Sequence, residues 1–329
     1  MALRRSIVVA GLGSIGRRHA RLLKARGDLE VRVCEPDEGT VQRAFEELGT
    51  LPRYATYDEA LASGPDMVLI ATPHHLHGEQ TVQALARDVH VLCEKPMSDN
   101  LADARKMVAA AGASRAILNI GFSLHFHPLI RRLRELVQDG ALGAVVQVHY
   151  RVGSYITLVN SGSRYQSQMA GALLMDYAHQ PDILFWLLGE KPAGVYMAGV
   201  RGGDMAYSSN PNCLSMVCDY GGPLVATIEL NYLQMPQRHA CEIVGDRAWA
   251  LCDMDKGTIR LGRREAQEET EERIPVQVDR LYELEHQAFL DAVDGKRAPE
   301  SPAAEAIASM EIIEAALQSW RTKRRVALR

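Results

Sequence analysis

Ser6-Ile7-Val8-Val9-Ala10-Gly11-Leu12-Gly13-Ser14-Ile15-Gly16-Arg17-Arg18 decides how the chain is read. A short apolar strand, Ser6 to Ala10, runs into Gly-x-Gly-x-x-Gly, and a helical pattern follows from Ser14 to Arg26. Glycine lets the backbone turn tightly and come close to a pyrophosphate, which then meets the free N–H groups and positive dipole end of a helix. Taken alone, the pattern also fits an ordinary tight turn. Glu35 strengthens the nucleotide reading, because it closes the second apolar run about twenty residues on, where a carboxylate accepts from the adenosine ribose hydroxyls. A carboxylate there repels a 2′-phosphate and favours NAD, while Arg17 and Arg18 keep NADP open. The competing reading of Glu35 is a surface carboxylate in the turn Glu35-Pro36-Asp37.

Working outward, the first third alternates short β-branched runs with helical patterns, as parallel strands joined by crossover helices do. Expected strands are Ser6 to Ala10, Glu30 to Cys34, Asp66 to Ala71, Val89 to Cys93 and Ala116 to Gly121, with a helix over Glu38 to Leu48. Their apolar character on both faces predicts a sheet covered by helices on each side. After Gly121 the pattern changes. Period-two runs at Ala144 to Val152, Leu214 to Tyr220, Leu224 to Leu233, Cys241 to Val244 and Thr258 to Leu261 predict a mostly antiparallel sheet. Helices are expected at Pro128 to Asp139, Leu173 to Leu188, Leu281 to Asp294 and Pro302 to Trp320, and Glu265 to Glu272 reads as a charged surface segment. The predicted fold class is therefore α/β: a Rossmann dinucleotide-binding domain over residues 1–121, then an α+β domain with a large open sheet over residues 122–329. The C-terminal helix is a candidate to pack back on the first domain.

Composition narrows the partners. In 329 residues, a net charge of −4 argues against nucleic acid, whose backbone calls for a basic face. No apolar run approaches the roughly 18 residues that span a bilayer. The N-terminus runs into the glycine turn rather than a cleavage site, so no secretory signal is expected. The six cysteines, Cys34, Cys93, Cys213, Cys218, Cys241 and Cys252, form no framework and read as reduced thiols of a cytoplasmic protein.

Two further motifs carry chemistry. Ala71-Thr72-Pro73-His74-His75-Leu76-His77 follows an apolar run. Its histidines have no cysteine or carboxylate at metal-ligand spacing, so no metal is expected there. Ala71, Thr72 and Pro73 line the cofactor path in this reading, His77 opens the next helix, and His74 and His75 are partly solvated. Glu94-Lys95-Pro96 follows another apolar run and sets a cation at the mouth of the sheet.

In this order and spacing, Gly11-x-Gly13-x-x-Gly16, Ala71-Thr72-Pro73 with His77, and Glu94-Lys95-Pro96 resemble the glucose-fructose oxidoreductase / inositol dehydrogenase / MocA (Gfo/Idh/MocA) family. The resemblance continues through Gly121-Phe122-Ser123-Leu124-His125-Phe126-His127-Pro128 and from Ala170 to Asp182, and weakens after Asp253. It implies hydride transfer between a nicotinamide cofactor and a secondary alcohol of a sugar, sugar derivative or cyclitol, by a homodimer or homotetramer. Cofactor contacts then fall to Gly11, Gly13, Ser14, Ile15, Gly16, Glu35, Ala71, Thr72, Pro73, His77, Glu94 and Lys95. Catalysis falls to Lys95, Asp176 and His179. Oxidising an alcohol needs a base for the hydroxyl proton while hydride leaves carbon. His179 titrates in the useful range. Lys95 stabilises developing alkoxide. Asp176, three residues before His179, would share a helix face with it and also bind substrate.

Departures from the family pattern bear on the substrate. The Asp-to-His gap is three where many members have four, as in members acting on amino or nucleotide-linked sugars. Ala170-Gly171-Ala172 replaces a triple glycine, and Ser123 and His125 stand where Asn and Arg are common. The segment Tyr150 to Met169 supplies the expected substrate contacts Arg164, Tyr165 and Gln168, with Arg164 suited to a phosphate or carboxylate or else pinning a surface loop. Two alternatives stay open: an NAD-dependent glycoside hydrolase working through transient oxidation, and a non-catalytic dinucleotide-dependent sensor.

Overall fold

The computed structural model describes residues 4–160, 165–205, 207–208 and 210–328. These divide into two compact units, residues 1–123 with 277–307, and residues 124–276 with 308–329. The return of 277–307 to the first unit departs from the simple division at residue 121.

In the first unit the order is β1 (Ser6–Ala10), α1 (Ser14–Arg26), β2 (Glu30–Cys34), α2 (Glu38–Leu48), β3 (Arg53–Tyr54), α3 (Tyr57–Ala62), β4 (Met67–Ile70), α4 (His74–Leu85), β5 (His90–Glu94), α5 (Leu101–Ala113) and β6 (Leu118–Gly121). The strands pair in parallel in the order β3-β2-β1-β4-β5-β6. Every residue of β1 and β4 is buried, as expected of strands covered on both faces. α1 buries Ala20, Leu22 and Leu23 and ends at Gly27, whose left-handed φ of 73° lets its N–H reach the Lys24 carbonyl. Asp37 starts α2 by accepting from the Thr40 N–H.

The second unit contains α6 (Pro128–Gln138), β7 (Val145–Gly153), α7 (Ile156–Asn160), α8 (Ala172–Asp176), α9 (His179–Leu188), β8 (Gly194–Val200), β9 (Cys213–Asp219), β10 (Val225–Asn231), β11 (Arg238–Gly245), β12 (Ala248–Asp253), β13 (Thr258–Arg263) and β14 (Glu268–Arg273). Then come α10 (Val278–Val293), which belongs to the first unit, α11 (Ala303–Thr322) and β15 (Val326–Ala327). The sheet runs β14-β13-β12-β11-β7-β10-β9-β8-β15 and is antiparallel except where β7 and β10 pair in parallel. Alternation is clear in β9 and β10: Leu214, Met216, Cys218, Ala226, Ile228 and Leu230 face the core. Their neighbours lie on an open face that also exposes Tyr196, Val200, Val217 and Val225. The charged segment near Glu265 becomes β14, an edge strand exposed at every residue, and the opposite edge is the two-residue β15.

One expectation needs correction. The predicted helix over Leu173 to Leu188 is two helices, broken at Tyr177 and Ala178. Tyr177 has ψ of +34°, outside the helical range, so the shared-face argument for Asp176 and His179 does not apply. They flank a turn instead.

Candidate active site

In the first unit the glycine loop is built by close approach. A Cβ at Gly11 would lie 2.6 Å from the Ala71 carbonyl oxygen, and one at Gly16 would lie 1.9 Å from the Gly11 oxygen. Gly13 is different, since an added Cβ there meets nothing within 4 Å and the residue is exposed with Ser14. Gly13 is also the N-cap of α1 and offers no side-chain acceptor, so the helix start presents its free N–H groups outward. Ile15 is half-buried. This is the geometry an anionic pyrophosphate fits.

Glu35 lies at the end of β2 and is held by the backbone. One oxygen accepts from the Leu12 N–H at 2.9 Å and the other from the Asp37 N–H at 3.0 Å. Carboxylate oxygens have further lone pairs, so ribose hydroxyls still find acceptors there. Arg17 pairs with Glu47 at 3.9 Å, and Arg18 with Asp279 at 3.4 Å while lying over the Tyr282 ring. Each of the two cations that left NADP open is therefore paired with a carboxylate.

The loop after β4 holds Ala71, Thr72 and Pro73, with Pro73 exposed and the Thr72 hydroxyl donating to Gln80 at 2.6 Å. His77 is not a cofactor contact by this geometry: it is fully buried, three residues inside α4. Its ring nitrogens lie 2.8 Å from the Thr72 carbonyl and 2.9 Å from the Pro96 carbonyl. Burial lowers its pKa, and the two carbonyls pull it back up. His77 thus ties the Thr72 loop to the turn after β5. His74 is half-buried, its pKa lowered to about 3 by burial and by the neighbouring His77, Lys95 and His75, while His75 is exposed.

That turn carries Lys95, followed by a cis bond to Pro96. From Val91 to Ser98, Lys95 alone is not buried. Glu94 is buried and accepts from the Lys95 N–H at 3.1 Å and pairs with His19 Nε2 at 2.8 Å.

In the second unit the same economy recurs. From Gly171 to Leu184 only Asp176 and His179 escape full burial. Asp176 accepts at Oδ2 from the Tyr232 hydroxyl and from Gln166 Nε2, the latter at 3.2 Å. Tyr232 is itself 1% exposed and follows β10. Asp182 and His125, whose roles the sequence left open, pair at 2.8 Å in the interior, with His125 stacked on Trp186. Gln180 is buried too. Of the expected substrate residues, Gln168 is exposed and Tyr165 begins a 3-10 turn, Tyr165–Ser167. Arg164 lies outside the described residues.

Residues 5–122 match the oxidoreductase family with NAD-binding Rossmann fold, and residues 134–328 match the C-terminal alpha/beta domain of that family. The chain belongs to the Gfo/Idh/MocA oxidoreductases. It is 26% identical to the 2,7-anhydro-N-acetylneuraminate hydratase of Escherichia coli, over 80% of this chain and 74% of that one. Identity is 24% to the inositol 2-dehydrogenase of Corynebacterium glutamicum, over 87% of this chain and 84% of that one. Among solved structures, the WlbA dehydrogenase of Bordetella pertussis, in complex with NADH and UDP-GlcNAcA, superposes with a TM-score of 0.82 at 20% identity, covering 99% of each chain.

The matched first domain is described as an NAD-binding Rossmann fold, and the open α1 start and the Glu35 carboxylate fit that cofactor. Sequence reasoning missed Tyr232 and Gln166 as partners of Asp176. Tyr232 ends a period-two run in which its hydroxyl looked like one more strand aromatic. His19 was missed as well, although a histidine inside the apolar stripe of α1 is a legible signal of a buried polar partner.

Proposed function

We propose that the protein is an NAD-dependent dehydrogenase that moves a hydride between the nicotinamide and a secondary alcohol of a sugar, sugar derivative or cyclitol. The observation that carries this is selective exposure: in two otherwise buried stretches, the only side chains left accessible are Lys95, Asp176 and His179. Burial of everything around three polar groups is how a site is held rigid while it still meets a ligand. The names of relatives acting on inositol or binding a nucleotide-linked sugar support the substrate class.

Gly13, Ser14 and the start of α1 would hold the pyrophosphate, and Glu35 the ribose, with Thr72, Pro73 and Lys95 toward the nicotinamide. When bound, NAD supplies the hydride acceptor. The Lys95 ammonium donates to the reacting oxygen and stabilises it as the proton leaves. An imidazole nitrogen of His179 takes that proton. Asp176, oriented by Tyr232 and Gln166, accepts from an adjacent hydroxyl. Gln168 and Tyr165, with Arg164, are the further substrate contacts of this reading.

No helix among the described residues is long and apolar enough to cross a membrane. We take the protein to be a cytoplasmic enzyme. The open sheet face bearing Tyr196, Val200, Val217 and Val225 supports self-association into a dimer or tetramer. The deciding experiment is NADH production over a panel of free sugars, amino sugars, cyclitols and nucleotide sugars with NAD and NADP. No turnover across the panel, with NAD still binding, would sink the dehydrogenase reading. A second reading, chemistry with transient oxidation and no net change in NAD, is favoured by the name of the hydratase relative. Product release without NADH accumulation would select it.

A further inference from the structure

The first unit contains a buried polar cluster that none of the chemistry above uses. His19 in α1 has both ring nitrogens engaged: Nε2 lies 2.8 Å from Glu94 Oε1 and Nδ1 lies 2.7 Å from His286 Nε2. The other Glu94 oxygen accepts from the Lys95 backbone N–H. Glu285 points into the same space, its ligand atom within 4.8 Å of those of His19 and Glu94, and neither of its oxygens has a partner among the described residues. His19, Glu285 and His286 are each 1% exposed. The Tyr282 ring closes one side, edge-on to His19 at 5.2 Å between centroids.

Burying four ionisable groups is costly unless each arrangement is fixed. Burial pushes Glu94 up, but the hydrogen bond and charge of His19, with the charge of Lys95, outweigh it and hold Glu94 below the usual range as a carboxylate. Burial and then the Glu94 charge raise Glu285 well above that range, so it carries a proton. Burial lowers His286, which stays neutral. A charged acceptor holding the Lys95 amide on one oxygen and an imidazole on the other is a rigid support.

We propose that His286, His19 and Glu94 are positioning residues that fix the turn of Lys95, linking α10 through α1 to the backbone from which the Lys95 side chain departs. This rests on the reading of Lys95 as the group that meets the reacting oxygen. A displacement of about 1 Å at such a group costs about a hundredfold in rate.

The test is a pair of variants at one position. His19→Leu keeps the volume and removes the polar link, whereas His19→Gln keeps a donor able to reach Glu94. For His19→Leu, kcat falls about 10- to 100-fold, NAD affinity stays within about threefold, and hydrogen exchange of the Lys95 amide speeds up. His19→Gln recovers most of the kcat and the slow exchange. Equal losses in both variants, accompanied by equal loss of NAD affinity, would mean a packing role and overturn the proposal. So would unchanged kcat in His19→Leu. Stoichiometric divalent metal in the purified protein, lost in His19→Leu, would overturn it too and make the cluster a cation site. If His19→Leu does not fold, His286→Leu removes only the outer partner, with an expected fall of about threefold in kcat; no fall would again overturn it. Lys95→Met separates the two readings. Full turnover in Lys95→Met removes the role of Lys95 itself, while loss there with full turnover in His19→Leu removes only the brace.

Discussion

One carboxylate in each unit, Glu35 and Asp176, is held by a different means. Glu35, in the first unit, accepts from the backbone N–H groups of Leu12 and Asp37. Asp176, in the second, accepts from side chains, Tyr232 and Gln166. A backbone donor is fixed by the fold and survives almost any substitution. A side-chain donor changes with one residue. Under the proposed function, the first arrangement would suit a ligand that does not vary, the dinucleotide, and the second one that does, the substrate.

The strongest way to break this comparison is to remove the reacting groups. Lys95→Met and His179→Ala are each expected to lower kcat by about 100- to 10,000-fold while NAD still binds, read by single-turnover NADH formation and by the quenching of tryptophan fluorescence on titration with NAD. Normal turnover in His179→Ala on the true substrate would remove it as the base. Next is Glu35, the carboxylate proposed to meet the cofactor ribose. Glu35→Ser removes a charge that a 2′-phosphate would face, and kcat/KM for NADP relative to NAD should rise by about 10- to 100-fold. A ratio unmoved by the change would show that Glu35 does not face that position.

Tyr232→Phe tests the side-chain style of support. Loss of one hydrogen bond to a charged group costs about 1.5–3 kcal/mol, so a drop of at least about tenfold in kcat/KM is expected, with Gln166→Leu smaller. Equal kcat/KM in wild type and Tyr232→Phe would mean that Asp176 needs no such orientation. The smallest effect is on stability. The raised pKa of buried Glu285 means that its contribution is fully present below the unfolded-state pKa of about 4.3 and is lost as pH rises toward the folded-state value. Glu285→Gln should therefore be more stable than wild type by about 1–3 kcal/mol at pH 8, and equal to it near pH 4. A melting-temperature difference that stays constant from pH 4 to 8 would contradict the protonated state.

The first two strands and two helices were legible to the residue, from Ser6 to Leu48, because glycine and proline punctuate each boundary, β1 is apolar on both faces and β2 alternates Glu30 and Arg32 with Val31 and Val33. Farther on, the punctuation sits away from the boundary it sets. Pro181 has no N–H to donate to the Tyr177 carbonyl four residues back and its ring crowds that carbonyl, so a continuous helix breaks at Tyr177 and Ala178, and Pro181 becomes part of the first turn of α9. β8 and β12 were missed because Gly194, Gly199 and the mixed run Ala248 to Asp253 dilute the strand signal, and β3 is two residues long. β14 was missed for a different reason: a strand exposed on both faces has no apolar alternation to read. Lys95, Asp176 and His179 stand out in the sequence as candidate catalytic groups, and the structure leaves them accessible in otherwise buried stretches. Their supports do not stand out, since a tyrosine, a glutamine or a helical histidine announces no partner until the chain has folded.

The large sheet ends on one side in a strand where Glu268, Glu269, Glu271 and Glu272 crowd together, and on the other in the stub Val326–Ala327. An incoming strand would have to align its backbone beside a row of like charges, or find too few free groups to pair with. Lateral growth into a fibre is thereby discouraged at both margins.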